Sequence, residues 1–251
     1  MDLLLAAVAS FFAGGVDAIV GGGGLILLPA LFAVFPGAPP ATLLGVNKGT
    51  SIWGTASATW QYAQRVQLRW SSLLVGAALA LVGSFGGAWA VTQVSPEFLK
   101  KILPGVLLLV FVYTLARKDL GQTHLPRLAG RAEMLAMGLL GAVIGFYDGF
   151  FGPGTGSFFV FLLVRWLGYD FMHASASAKL LNTASNLAAL SLFAWMGHVW
   201  WHVVAVTALA NVAGSLVGTR LAMKHGSGFV RVFFMVVVGV LLVKTASSAY
   251  F

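Results

Sequence analysis

Short polar or glycine-rich breaks divide the chain into ten apolar segments, 3–20, 24–36, 41–63, 70–92, 98–116, 132–150, 155–168, 172–196, 201–222 and 228–248. A spanning helix needs about 20 apolar residues. The segments 24–36 and 155–168 fall short of that. Each starts directly after a glycine run, Gly21 to Gly24 and Gly152-Pro153-Gly154-Thr155-Gly156. Such a segment has the form of a broken or re-entrant half-helix, which a membrane permits only where the loose backbone faces protein or a wet cavity.

Composition changes the picture from helices to helices in lipid. Of 251 residues 59% are hydrophobic and 9% charged, against roughly 25% charged in an average soluble domain. So few charges cannot cover a water-soluble globule of this size. The net charge of +8 is scattered between apolar runs and forms no stripe, which excludes nucleic acid as the expected partner. The absence of cysteine removes disulfides, thiolate metal sites and thiol chemistry. Met1-Asp2-Leu3 lacks the positive region of a cleavable signal, so residues 3–20 are expected in the mature fold.

Loop charges set an orientation. Arg65, Arg69, Arg117, Lys118, Arg127, Arg131, Arg165, Arg220, Lys224 and Arg231 fall on one side, and Lys100, Lys101 and Lys244 on the other. By the positive-inside rule the first set is cytoplasmic and both termini lie outside.

Sliding the chain against itself by 131 residues gives sixteen identities between 14–101 and 145–232, about twice the chance level for this composition. Asp17 falls on Asp148, Lys48 on Lys179, Trp70 on Trp201, and Gly83-Ser84 with Gly87 on Gly214-Ser215 with Gly218. Each copy holds five segments, an odd number, so the second starts on the opposite face of the membrane. The expected fold is an all-α polytopic membrane protein. It has two inverted-topology repeats of five helical segments, each with a glycine-interrupted short or half helix. Residues 1–117 form the first repeat, 118–131 a cytoplasmic linker and 132–251 the second repeat, in one integrated transmembrane domain. Inverted repeats with interrupted helices are the signature of secondary transporters that bind substrate near mid-bilayer.

Lys48 and Lys179 lie within apolar segments, where an ammonium group costs at least ~2.5 kcal/mol at the bilayer centre. Lys48, Ser51, Thr55, Thr59 and Tyr62 share one helix face, and Lys179 shares its face with Ser175, Asn182 and Asn186. These stripes run deeper than snorkelling lysines need, so the two lysines are expected to bind substrate, with Asn47, Ser51 and Asn182 beside them. The glycine runs supply a second component. The first N–H groups of a helix have no partner and sit at its positive end, which attracts anions. The expected donors are Gly22, Gly23 and Gly24 in one repeat and Gly154, Thr155, Gly156 and Ser157 in the other. Close helix packing is the competing use of these glycines, and the expected one for Gly83/Gly87 and Gly214/Gly218.

Asp17 and Asp148 end the first segment of each repeat. Three roles compete: partner of a lysine, proton carrier, or acceptor for the glycine turn. An orienting role, capping the glycine turn or pairing with a lysine, is favoured, because a carboxylate aimed at an anion would repel it. His198 to His202 reads as an interfacial aromatic belt, and His124 and His173 as isolated. No metal site or cofactor is expected, and no nucleophile stands paired with a base.

The stretches Gly15-Val-Asp17-Ala-Ile-Val-Gly-Gly-Gly-Gly24-Leu-Ile-Leu-Leu-Pro29, Asn47-Lys48, Gly145-Phe-Tyr-Asp148-Gly-Phe-Phe-Gly-Pro-Gly-Thr-Gly-Ser157 and Ala178-Lys-Leu-Leu-Asn182 resemble the TauE/SafE-type sulfite and organosulfonate exporter family over nearly the whole chain. The resemblance implies a bacterial inner-membrane transporter of small sulfur-containing anions. It carries over to Asp17, Gly21–Gly24, Asn47 and Lys48, and to Asp148, Gly152–Ser157 and Lys179. The expected function is therefore alternating-access transport of a small oxyanion such as sulfite or a sulfonate. Export follows if the anion moves alone, because a negative cytoplasm favours its exit by ~2.3 kcal/mol per 100 mV. A passive anion channel is the alternative, with an intramembrane enzyme behind it. Partners are the bilayer and the anion, and pairing with a second copy is left open.

Overall fold

The computed structural model describes residues 1–93 and 123–250, so the segment 98–116 and the repeat boundary at 117 lie outside the described residues. Helix α1 spans Asp2–Val20 and stops at Gly21, whose left-handed φ of 78° closes the end while its N–H bonds the Asp17 carbonyl at 2.8 Å. A short α2, Gly24–Val34, follows. Helix α3, Pro40–Ala63, begins on a proline, whose missing N–H is harmless in a first turn. Helix α4 is Trp70–Val91. The second half repeats the order with α5 at Gly130–Phe150 and a short α6 at Thr155–Leu162, continued by one π turn, Leu163–Leu167, that ends at left-handed Gly168. Helix α7, Phe171–Trp195, starts on Asp170, whose carboxylate accepts the His173 N–H at 2.7 Å. The expected segments 201–222 and 228–248 form one helical run, α8, Trp201–Tyr250, broken at Gly226 with φ 72°.

Among the described residues, four helices are long and apolar enough to cross a membrane: Asp2–Val20, Trp70–Val91, Gly130–Phe150 and Trp201–Gly226. Helices α3 and α7 have the length, 24 and 25 residues, but carry the polar stripes that lower their hydropathy. Polar helices in lipid belong inside, and they are inside. Asn47, Lys48, Thr50 and Thr55 of α3 and Ser175, Lys179, Asn182 and Asn186 of α7 are all buried. Large apolar side chains such as Leu74, Val82, Leu135, Leu139 and Leu209 face outward, the arrangement of a multi-pass membrane protein.

The helices pair across the two halves: α1 on α8, α4 on α5, and α3 on α7 at the centre. Glycine sets how close they come. A methyl group on Gly83 would overlap the Ala142 carbonyl oxygen, and one on Gly214 that of Phe11. Both contacts put backbone against backbone, the packing use expected for these glycines. Gly83→Ala should therefore cost about 3 kcal/mol by forcing α4 from α5. Gly86→Ala, with nothing nearer than Phe146 Cδ2 at 3.8 Å, should be neutral or gain up to about 1 kcal/mol of helix propensity. Thermal unfolding in detergent distinguishes the pair; equal midpoints would show that α4 and α5 are not in backbone contact there.

Candidate functional site

The end of α1 and the start of α6 meet at the heart of the bundle. The last carbonyls of a helix lack intrahelical donors, and here three other elements supply them. Tyr62 on α3 donates its hydroxyl to the Ala18 carbonyl at 3.0 Å, and Ser175 on α7 donates to Ile19 at 2.9 Å. Ser157 on α6 donates its N–H to Gly21 O at 2.6 Å and its hydroxyl to the same oxygen at 3.0 Å. Gly21 and Gly156 touch backbone to backbone, with no room for a side chain on either.

Two ion pairs flank this crossing, and each joins the halves. Lys48 Nζ lies 2.7 Å from Asp148 Oδ1, and Lys179 Nζ lies 3.3 Å from Asp17 Oδ2. The lysines are 1% and 0% exposed, so neither snorkels. Asp17 also accepts the Gly23 N–H on Oδ1 at 3.3 Å. Asp148 differs. Its Oδ2 is buried without a hydrogen-bond partner among the described residues, as is Asn47 Oδ1. A buried ion pair rarely adds stability, yet removing one partner is costly because the other charge stays behind.

Between the pairs lies a polar cavity bordered by Asp17, Gly24, Asn47, Lys48, Ser51, Asp148, Thr155, Gly156 and Asn182, together with Gly21, Gly152, Gly154 and Asn186. Its free volume is about 10 Å³, room for about one water. Gly24, Gly154 and Gly156 border it, and their N–H groups make no hydrogen bond among the described residues. Gly152 has no side chain because one would press on the Lys48 ammonium, 2.7 Å from where its Cβ would stand.

The structure sets two carboxylates against the two ammonium groups within hydrogen-bond reach, the lysine-pairing form of the orienting role expected of Asp17 and Asp148. The expected donors Gly23 and Ser157 are engaged by Asp17 and Gly21, while Gly22 and Lys179 stand behind the cavity wall. Gly21, Gly152 and Asn186 do border it; the 131-residue offset that maps Gly21 on Gly152 is the sequence signal that singles out both.

A second cluster forms at the helix ends where the loop arginines gather. Arg69 bonds Glu133 at 2.9 Å, and the Tyr169 hydroxyl donates to the same carboxylate. His124 and His173, expected to be isolated, stack with ring centroids 3.9 Å apart, because the backbone of 125–127 pairs with 167–168 and brings them together. His173 Nδ1 lies 2.9 Å from Asp170 Oδ2. Burial pushes the Asp170 carboxyl up, but its bonds from His173 outweigh this and leave it below the usual carboxylate range. Burial, then the His173 ring, lower His124. An unfolded histidine titrates near 6.5, so below about that pH the unfolded chain binds the proton that folded His124 refuses. Stability should thus fall as pH drops from 7 toward 5. Thermal unfolding of His124→Gln should show a shallower fall; an unchanged slope would mean that this ring carries none of it.

Comparison with known proteins agrees with this architecture. The probable membrane transporter protein YfcA of Escherichia coli K12 is 36% identical over 236 residues, 94% of this chain and 86% of the relative. A probable membrane transporter protein, ORF9, of a Sinorhizobium species is 36% identical over 231 residues, 92% and 87% of the two chains. One from Haemophilus influenzae is 34% identical over 226 residues, 88% and 85%. Residues 6–245 match the family described as Sulfite exporter TauE/SafE, and with its apolar outer helices and polar, lysine-bearing centre the chain belongs to that family of membrane transporters.

Proposed function

We propose that the protein carries a small oxyanion, sulfite or a small organosulfonate, out of the cell by alternating access around the cavity between the two Lys–Asp pairs. The observation that carries this reading is that Lys48 borders one polar cavity at the centre of the bundle together with Gly24, Gly154 and Gly156, whose N–H groups are unpartnered among the described residues. Backbone N–H groups at helix starts hold oxyanions through directed hydrogen bonds, and glycine lets the ligand approach them. Asn47, Ser51 and Asn182 add amide and hydroxyl groups around the same space. Thr155 also borders this space, while Gly22, Gly23, Ser157 and Lys179 shape the turns or hold Asp17.

The pairing pattern supports two inverted copies. The offset of 131 residues maps Lys48–Asp148 onto Lys179–Asp17, and the Gly83–Ala142 contact onto Gly214–Phe11. A carrier built of such halves alternates by rocking one against the other. The cavity, about 10 Å³, must widen to admit an oxyanion, as the site of a rocking carrier does. The loop arginines support an orientation with both termini outside, and kinship with the family supports a bacterial inner membrane.

Counterflow tests the reading. Proteoliposomes loaded with unlabelled methanesulfonate should transiently concentrate labelled methanesulfonate from outside, and sulfite should compete. Linear, non-saturating uptake without counterflow would favour the channel.

A further inference from the structure

We infer that the anion crosses together with one proton, carried on Asp148, so that the loaded site has the same net charge as the empty one. This rests on the oxyanion-carrier reading and names its coupling.

Charge balance is the first argument. The cluster holds Lys48, Asp148, Lys179 and Asp17 as two pairs, a formal sum of zero. Among the described residues no other ionisable group stands by to absorb a change. Helices α2, α4 and α6 contain no ionisable residue, and the neighbouring Tyr62 and Tyr147 hydroxyls are bonded to Ala18 O and Pro153 O. A monoanion entering alone would leave an uncompensated negative charge among buried groups, which is strongly disfavoured.

The second argument concerns hydrogen-bond polarity. Asp148 Oδ2 and Asn47 Oδ1 are both buried and lack a donor among the described residues. A fully ionised oxyanion has no donor to offer them. A proton on Asp148 Oδ2 meets both needs: it makes the carboxylate neutral and turns an orphaned acceptor into a donor. Lys48 then loses its counterion and is free, with the glycine N–H groups, to hold the anion. Asp17 is the poorer carrier because both its oxygens already accept bonds, from Gly23 N–H and Lys179 Nζ. A metal cation does not fit the same vacancy, since hard cations take about six oxygen ligands and two unpartnered oxygens border about 10 Å³.

The cycle balances. On one face Asp148 gains a proton, Lys48 is released and the anion binds. On the other face the anion leaves, the proton follows, and the Lys48–Asp148 pair closes again. One anion and one proton move in the same direction, so no net charge crosses. Membrane voltage then does not drive the step. An anion made in the cytoplasm leaves down its own gradient, and acid outside slows its exit.

The test uses the wild-type protein in proteoliposomes with labelled methanesulfonate, under one gradient at a time. With the pH clamped equal and 100 mV imposed, the distribution should stay within about twofold of unity. At zero voltage, one unit of pH gradient should give about tenfold accumulation on the alkaline side. Accumulation of about 50-fold under 100 mV without a pH response, or accumulation driven by a sodium gradient, overturns proton coupling and leaves the carrier intact. Absence of saturable flux under every gradient overturns the carrier reading itself. In Asp148→Asn the pH-driven accumulation should disappear; a retained tenfold response moves the proton to another group. Purified wild-type protein, followed with a pH dye, should also take up about one proton per methanesulfonate bound, and zero uptake contradicts the proposal without any variant.

Discussion

Lys179→Gln should lose both transport and about 3 kcal/mol of stability, because it leaves the Asp17 carboxylate, 14% exposed, without its ammonium partner. That is a large part of the roughly 5–15 kcal/mol that holds a typical domain folded. A transport defect in this variant alone would therefore be ambiguous. The double variant Asp17→Asn with Lys179→Gln removes both charges and keeps the side-chain shapes. Its folding should recover to within about 1–2 kcal/mol of the parent, while methanesulfonate counterflow stays at least 100-fold down. Lys179 does not border the cavity; it fixes Asp17, which also receives the Gly23 N–H and so sets the first glycine turn. Thermal unfolding and counterflow on the same samples check both parts. Full transport by a folded double variant would show that this ion pair is dispensable scaffolding.

Gly21→Ala should be at least as damaging, for a different reason. Gly21 has φ 78°, where a side chain costs about 1–2 kcal/mol. An added methyl group would also overlap the backbone of Gly156, which has no flexible end to move. Separating the two turns breaks the Ser157 N–H bond to Gly21 O and displaces Gly156 in the cavity wall. Little folded protein is expected, and no counterflow from what remains. Gly37→Ala is the matched control, since nothing lies within 4 Å of its Cβ position and its φ is ordinary. Equal yield and flux from the two variants would mean that the turns do not touch in the working protein.

The features that depend on neighbouring residues were legible in the sequence. Helices α1, α4 and α5 begin and end within about two residues of the expected segments because charges and glycines mark their ends. The short α2 and α6 follow from the distance between a glycine run and the next break. The lysines stood out because charge is rare in apolar surroundings, and both are buried. What depends on the docking of the halves was not legible. The orienting role favoured for Asp17 and Asp148 left capping and pairing open, and only the docking of the halves brings each carboxylate to the other half's lysine. Tyr62 and Ser175 read as parts of polar stripes, whereas their work is to satisfy carbonyls at the end of α1. The stacking of His124 on His173 spans 49 positions and rests on a loop pairing that no local pattern announces.

The most direct measurement is the anomalous scattering of selenite, a heavier analogue of sulfite, diffused into crystals of the protein. The account predicts one strong peak between the two Lys–Asp pairs, within hydrogen-bond distance of Lys48 Nζ and of the Gly24 and Gly156 N–H groups. Peaks confined to the arginines at the helix ends, with that cavity empty at saturating selenite, would contradict it.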